Sequence, residues 1–133
     1  MIVIIDYGVG NLFSLVSSFK AIGEDVIISK DAEVIEKADK LILPGVGAFS
    51  DASKKLKESG LEDVIKKCAK SGKPLLGVCL GMQLLFEKSF EYGEYEGLGL
   101  IKGEIRPISD VIGSSSLKIP HMGWNKLKLK EPK

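Results

Sequence analysis

Cys79 stands between two glycines in Gly77-Val78-Cys79-Leu80-Gly81-Met82-Gln83, the stretch of this sequence richest in residues that can do chemistry. It follows an apolar run and opens a segment carrying Leu84, Leu85 and Phe86 in a helical pattern. Gly-x-Cys-x-Gly in that place has the form of a nucleophile elbow, a sharp strand-to-helix turn that lifts one side chain above a sheet. Glycines flank such a turn because neighbouring strands leave no space for a Cβ. At a helix amino terminus the exposed amides and the dipole favour the thiolate, the nucleophilic form of cysteine. The Leu80 amide can then point at the oxygen of an attacked carbonyl. A small buried cysteine in a tight turn is the competing reading. A second loop, Leu43-Pro44-Gly45-Val46-Gly47-Ala48, follows another apolar run and precedes another helical pattern. Its two glycines let the backbone approach a ligand closely, and an amide there can be a second oxyanion donor. Taken alone this Gly-x-Gly is a plain turn; beside the elbow it gains weight, because acyl transfer needs donors from two segments.

Other candidates are weaker. Asp6-Tyr7-Gly8-Val9-Gly10-Asn11 has the look of a phosphate-binding turn but lacks the third glycine of a dinucleotide fingerprint, so no cofactor site is expected. His121 is the only imidazole in the chain. It would complete a Cys/His pair as base for Cys79, or be an ordinary surface histidine. Cys68 lies on an apolar helix face and reads as core. Met122 and Trp124 fit either core or an apolar patch for a partner.

Four short apolar runs must position these groups: Ile2-Val3-Ile4-Ile5, Val26-Ile27-Ile28, Leu41-Ile42-Leu43 and Leu75-Leu76-Gly77-Val78. Continuous rather than alternating apolar residues predict strands buried on both faces. Between the runs, Leu12, Leu15, Val16, Phe19 and Ile22 share a helical face, capped at Asn11 and closed by Gly23. A short helix fits Phe49 to Glu58, and Leu61, Val64, Ile65, Cys68 and Ala69 form another before Gly72 and Pro74. Strands alternating with helices imply right-handed βαβ units, hence a three-layer α/β sandwich on a mostly parallel sheet. After Ser89 glycines punctuate short segments, and Gly113-Ser114-Ser115-Ser116 reads as a turn. From Trp124 the chain alternates, Leu127 and Leu129 against Lys126, Lys128 and Lys130, which predicts an exposed strand.

With 133 residues there is room for one domain. An apolar fraction of 44% with a net charge of +1 excludes a disordered chain, and the charge balance gives no footprint for nucleic acid or an anionic membrane. No apolar run reaches membrane-spanning length. The amino terminus has no basic region ahead of Asp6, so it does not read as a signal peptide. Two cysteines and one histidine make no zinc site of the usual spacing. A cytoplasmic protein with free thiols is expected.

Pro-Gly-Val-Gly at 44–47, Gly-Val-Cys-Leu-Gly-Met-Gln at 77–83 and Pro-His-Met-Gly-Trp-Asn at 120–125 occur here in one order. That combination, with Ile-Asp-Tyr-Gly-Val-Gly-Asn at 5–11, resembles the glutaminase subunits of imidazole glycerol phosphate synthase, class I glutamine amidotransferases of flavodoxin-like fold. The resemblance runs over the whole chain. It implies that Cys79 attacks the amide carbon of glutamine, giving a glutamyl thioester and ammonia. It further implies that the amides of Leu80 and of Val46 or Gly47 hold the oxyanion, and that Gly45 and Gln83 bind the glutamine. The ammonia would pass to a cyclase subunit, a (β/α)₈ barrel making imidazole glycerol phosphate and AICAR, with Asn11 and Trp124 facing it. No metal or organic cofactor is implied. The family's base and orienting acid come from a His-x-Glu motif, after a Tyr-x-x-His segment, and neither motif occurs in these residues. The expectation is therefore a single domain over 1–133 that is truncated at its carboxyl end, inactive alone, and left with a bare sheet edge. Two other readings stay open. One is an elbow-cysteine protein of the DJ-1 and PfpI group with Asp6 or Glu87 as the neighbouring acid. The other is a non-catalytic partner that docks on the cyclase.

Overall fold

The computed structural model describes residues 1–113, 117–126 and 128–130. Four parallel strands, β1 (Ile2–Ile5), β2 (Val26–Ser29), β3 (Lys40–Leu43) and β4 (Leu75–Gly77), form one sheet in the order β2-β1-β3-β4. The register pairs Val3 with Ile27 and Leu41, and Leu43 with Gly77. Around the sheet lie α1 (Leu12–Ala21), α2 (Ala32–Lys37), α3 (Phe49–Glu58) and α4 (Glu62–Lys70). Beyond β4 come α5 (Leu80–Leu84), β5 (Phe86–Ser89), β6 (Tyr95–Glu96), β7 (Ile101–Ile105) and α6 (Ile108–Ile112). Strands β6, β5 and β7 make a second, mixed sheet, antiparallel between β5 and β6 and parallel between β5 and β7.

Alternation along the strands divides the apolar residues between two faces. Val3, Ile5, Leu41 and Leu43 pack into one buried cluster with Ile35 of α2, Phe49, Ala52 and Leu56 of α3, and Ile65 and Cys68 of α4. Each of the Val, Leu, Ile and Phe side chains among them contributes about 1.5–3 kcal/mol when removed from water. Ile4 and Ile42 are buried on the other face, which is served by α1. Helix α1 itself buries no residue fully, and Ile22 at its carboxyl cap is 72% exposed. The architecture is a three-layer α/β sandwich with one deep layer and one thin one.

The cap at Asn11 forms as expected, its side chain accepting the Ser14 N–H at 3.1 Å. Burial of all four strands on both faces does not hold. Strands β2 and β4 are the sheet edges, and Ile27, Ile28 and Leu76 are each more than two-fifths exposed. Helix α2 escapes the apolar periodicity because it is six residues long; its Asp31 cap accepts from Glu33 N–H at 2.8 Å, and Lys73 Nζ donates to the Glu36 carbonyl at 2.7 Å at its far end. The helix opened by Cys79 stops at Leu84, and Phe86 begins β5 instead of continuing it. Residues 124–126 and 128–130 form no strand, in contrast to the expected alternation; Leu127 and the segment Glu131-Pro132-Lys133 lie outside the described residues. So do Ser114, Ser115 and Ser116 of the expected turn, although Gly113 is in a turn.

Candidate active site

Strands β3 and β4 are neighbours, so the loops leaving their carboxyl ends meet above the sheet edge. This is where open parallel sheets hold their ligands. At the end of β4 the chain turns abruptly: Gly81 N–H donates to the Val78 carbonyl at 3.0 Å, and Cys79 takes φ 55°, ψ −116°. Those angles belong to the first central position of a type II′ turn, a place where glycine is the rule. A cysteine held there carries backbone strain on the order of 1–3 kcal/mol, which is the kind of cost found at functional positions. Cys79 is exposed, and Cys68 is buried against the carbonyl of Ile35 as a core residue.

The glycines around Cys79 are required by contact. A Cβ on Gly77 would come within 2.5 Å of Met82 Cα, and one on Gly81 within 2.0 Å of the Leu43 carbonyl oxygen. A Cβ on Gly45 would lie 2.5 Å from the Gly81 nitrogen and 2.8 Å from Leu80 Cβ. The loop after β3 is therefore stacked backbone to backbone on the elbow. Val78 N–H donating to the Leu43 carbonyl at 3.0 Å closes the same junction.

Amide donors are available on both segments. Leu80 is the first residue of α5, where no intrahelical acceptor exists for its N–H. Among the described residues the N–H groups of Gly45, Val46 and Gly47 have no hydrogen-bond acceptor. Val46 is 52% exposed and Gly47 takes φ +86° in open space, so this part of the loop faces outward.

Gln83, one turn after Cys79, lines a cavity of about 660 Å³ together with Glu91, Tyr92, Ile105 and Arg106. Cys79 and residues 45–47 are not on the wall of that cavity. Glu91 links the two regions, because its Oε2 accepts the Phe49 N–H at 2.7 Å, just beyond the loop after β3. Glu91 and Arg106 were invisible to sequence reasoning, since they lie in the glycine-punctuated stretch that has no period. Arg106 is fixed by Glu104 at 2.8 Å and stands 4.3 Å over the Phe90 ring.

Other candidates go elsewhere. His121 is exposed, 3.0 Å from Asn125 Nδ2, in a wall shared with Ile108, Ile112 and Met122. Among the described residues Cys79 Sγ has no hydrogen-bond partner, so no Cys/His pair is formed. Asp6 accepts the Gly8 N–H within its own turn at 3.1 Å, and Glu87 accepts the Gly103 N–H at 2.9 Å within the second sheet. Neither is a hydrogen-bonded acid beside the cysteine. Asn11 is exposed, and Trp124 is fully so. Among the described residues no group of three or more His, Cys, Asp or Glu side chains could hold a metal ion, and no helix is long and apolar enough to cross a membrane.

Residues 3–132 match the family model for glutamine amidotransferase class-I. The chain is 53% identical over 131 residues to "Imidazole glycerol phosphate synthase subunit HisH" of Sulfurimonas denitrificans, covering 98% of this chain and 63% of that one. Proteins of the same name from Lactococcus lactis and Aquifex aeolicus are 54% and 51% identical, over 96% and 97% of this chain and 61% and 60% of theirs. The chain thus spans about three-fifths of the length of these relatives. A solved structure, "Crystal structure of glutamine amidotransferase", is similar with a TM-score of 0.67 and 26% identity, covering 78% of this chain and 55% of that chain.

Proposed function

The chain belongs to the class-I glutamine amidotransferase family, and from that premise we propose that it is the glutaminase part of an imidazole glycerol phosphate synthase. The observation that carries the reading is Cys79, strained and exposed on the elbow, against which Gly45 stacks the loop carrying the acceptor-free amides of residues 45–47. Relatives at about half identity carry the synthase subunit's name, which supports glutamine as substrate and a cyclase subunit as partner.

In this reading Cys79 Sγ, as thiolate, attacks the side-chain amide carbon of glutamine. The carbonyl oxygen becomes an oxyanion that receives the Leu80 N–H and an amide of Val46 or Gly47. Collapse breaks the C–N bond; the leaving nitrogen takes a proton and departs as ammonia, leaving a glutamyl thioester. Water then cleaves the thioester to glutamate and restores the thiol. Gly45 lets the loop lie flat on the elbow, and Gln83, one turn beyond Cys79, offers a carboxamide to the substrate. Proton transfer needs a group that the described residues do not hydrogen-bond to Cys79. Residues 1–133 by themselves are therefore expected to be alkylated at Cys79 but not to turn over.

Ammonia passes to the cyclase subunit, and the fully exposed Trp124 with the exposed Asn11 supports a partner face. The test is glutamine-dependent ammonia release by the native protein with its cyclase. Cys79→Ala is expected to lower the rate by at least about a thousandfold while leaving cyclase binding intact. Activity that survives this change sinks the assignment. Binding without any glutaminase activity in the wild type favours the docking reading. Cys79-dependent action on reactive carbonyls without ammonia release favours the DJ-1-like one.

A further inference from the structure

The loop after β3 has two non-local hydrogen-bonded anchors and a loose middle. At its far end the Phe49 N–H is held by Glu91 at 2.7 Å. At its near end the Tyr7 hydroxyl donates to the Pro44 carbonyl at 2.7 Å, across 37 residues of sequence. Tyr7 comes from the turn after β1, is 4% exposed, and belongs to the buried cluster that also holds Leu43 and Leu80. Burial pushes its phenol above the ordinary tyrosine range, so it stays a donor at any physiological pH. Pro44 is fully buried, and a Cβ on Gly10 of the same turn would come within 2.7 Å of Pro44 Cβ. The turn after β1 therefore grips the proline both by packing and by a hydrogen bond.

That grip acts on the next residues because a peptide group is a rigid plane. Holding the Pro44 oxygen fixes the Gly45 N–H on the opposite edge of the same plane and sets the direction in which the chain enters Val46. Among the described residues the Val46 and Gly47 N–H groups have no acceptor, and the next hold on the loop is at Ala48, whose carbonyl accepts the Ala52 N–H at 3.2 Å, and at Phe49. Without the hydroxyl, the buried Pro44 carbonyl would lose this donor and rotate toward another, carrying the following amides with it.

We infer that Tyr7 is a positioning residue for the oxyanion amides, acting through the Pro44 carbonyl and never touching substrate. The inference rests on the glutaminase reading of Cys79. Tyr7→Phe retains the ring and removes only the donor. In the native protein, assayed in its synthase assembly, kcat for glutamine hydrolysis is expected to fall about tenfold with KM unchanged within about twofold. Alkylation of Cys79 by iodoacetamide passes through no oxyanion and should keep its rate. Ile35→Val, a core truncation on α2 remote from the loop, should lower Tm without changing kcat.

The proposal is overturned if Tyr7→Phe keeps kcat, if alkylation slows in parallel with kcat, or if Ile35→Val costs as much kcat at equal loss of Tm. Gly10→Ala pushes a Cβ against the ring of the same proline and is expected to give the same split should Tyr7→Phe fold poorly; unchanged kcat in that variant overturns the proposal equally. If the wild type and Cys79→Ala release ammonia alike, the glutaminase reading itself fails and takes the Tyr7 role with it. Cys79-dependent activity in the wild type together with a fully active Tyr7→Phe removes the Tyr7 role alone.

Discussion

At the scale of one residue, Cys79 combines an exposed thiol with a backbone conformation that a side chain resists. The same angles that lift Sγ above the sheet place its Cβ in steric conflict with its own peptide groups. Activity and stability should therefore pull apart here. Cys79→Gly is expected to be about 1 kcal/mol more stable than Cys79→Ala, because only glycine relaxes at φ 55°. Urea unfolding of the two inactive variants measures this directly. Equal stabilities would mean the turn opens when the sulfur is gone.

At the scale of elements, the site is a junction of two loops that touch through backbone. Only glycine permits that, so the consequences of a methyl group differ sharply between neighbours. Gly81→Ala drives a Cβ to 2.0 Å from the Leu43 oxygen and 2.9 Å from the Pro44 carbon, rigid backbone that cannot swing aside. A loss of about 3 kcal/mol is expected, with disrupted alkylation of Cys79. Gly47→Ala meets nothing within 4 Å and bears only the strain of φ +86°, about 1–2 kcal/mol. Denaturant titration of both variants, with Cys79 reactivity followed alongside, checks the ordering. A reversed order would mean that the loop after β3 is not seated on the elbow.

At the scale of the molecule, the two faces of the parallel sheet are unequally covered. Beneath α2, α3 and α4 the strands meet a closed cluster in which Ile65 has no exposed surface. On the opposite face Leu76, Phe19 and Ile22 line an open apolar groove. Ile65→Ala should cost about 2–5 kcal/mol, since it leaves a cavity inside packed helices. Leu76→Ala, at a residue 53% exposed, should cost less than about 1.5 kcal/mol and reduce binding of a hydrophobic dye. Thermal melts and dye fluorescence of the 1–133 polypeptide test the pair; similar costs would mean that the groove is covered in solution.

The sequence by itself did not mark β5, β6 and β7, and it expected a strand after Trp124 where residues 124–126 and 128–130 form none. It did determine the four parallel strands, the helices with a full apolar face, the elbow and its partner loop. Each of these is written locally, in continuous apolar runs such as Ile2-Val3-Ile4-Ile5, in caps such as Asn11, and in glycines spaced around one cysteine. It misjudged how deeply β2 and β4 are buried, because an apolar run names a strand without saying whether a neighbour covers it. It also extended the helix after Cys79 through Phe86, where pairing with β7 claims that residue for a strand. Only the tertiary structure decided that His121 lies with Asn125, that Glu91 and Arg106 share a cavity with Gln83, and that Tyr7 reaches Pro44. The Tyr7–Pro44 bond spans 37 residues, and all of these contacts are made by segments with no periodicity. Their geometry depends on how strands are ordered and how closely two backbones approach, and neither quantity is carried by any single stretch of sequence.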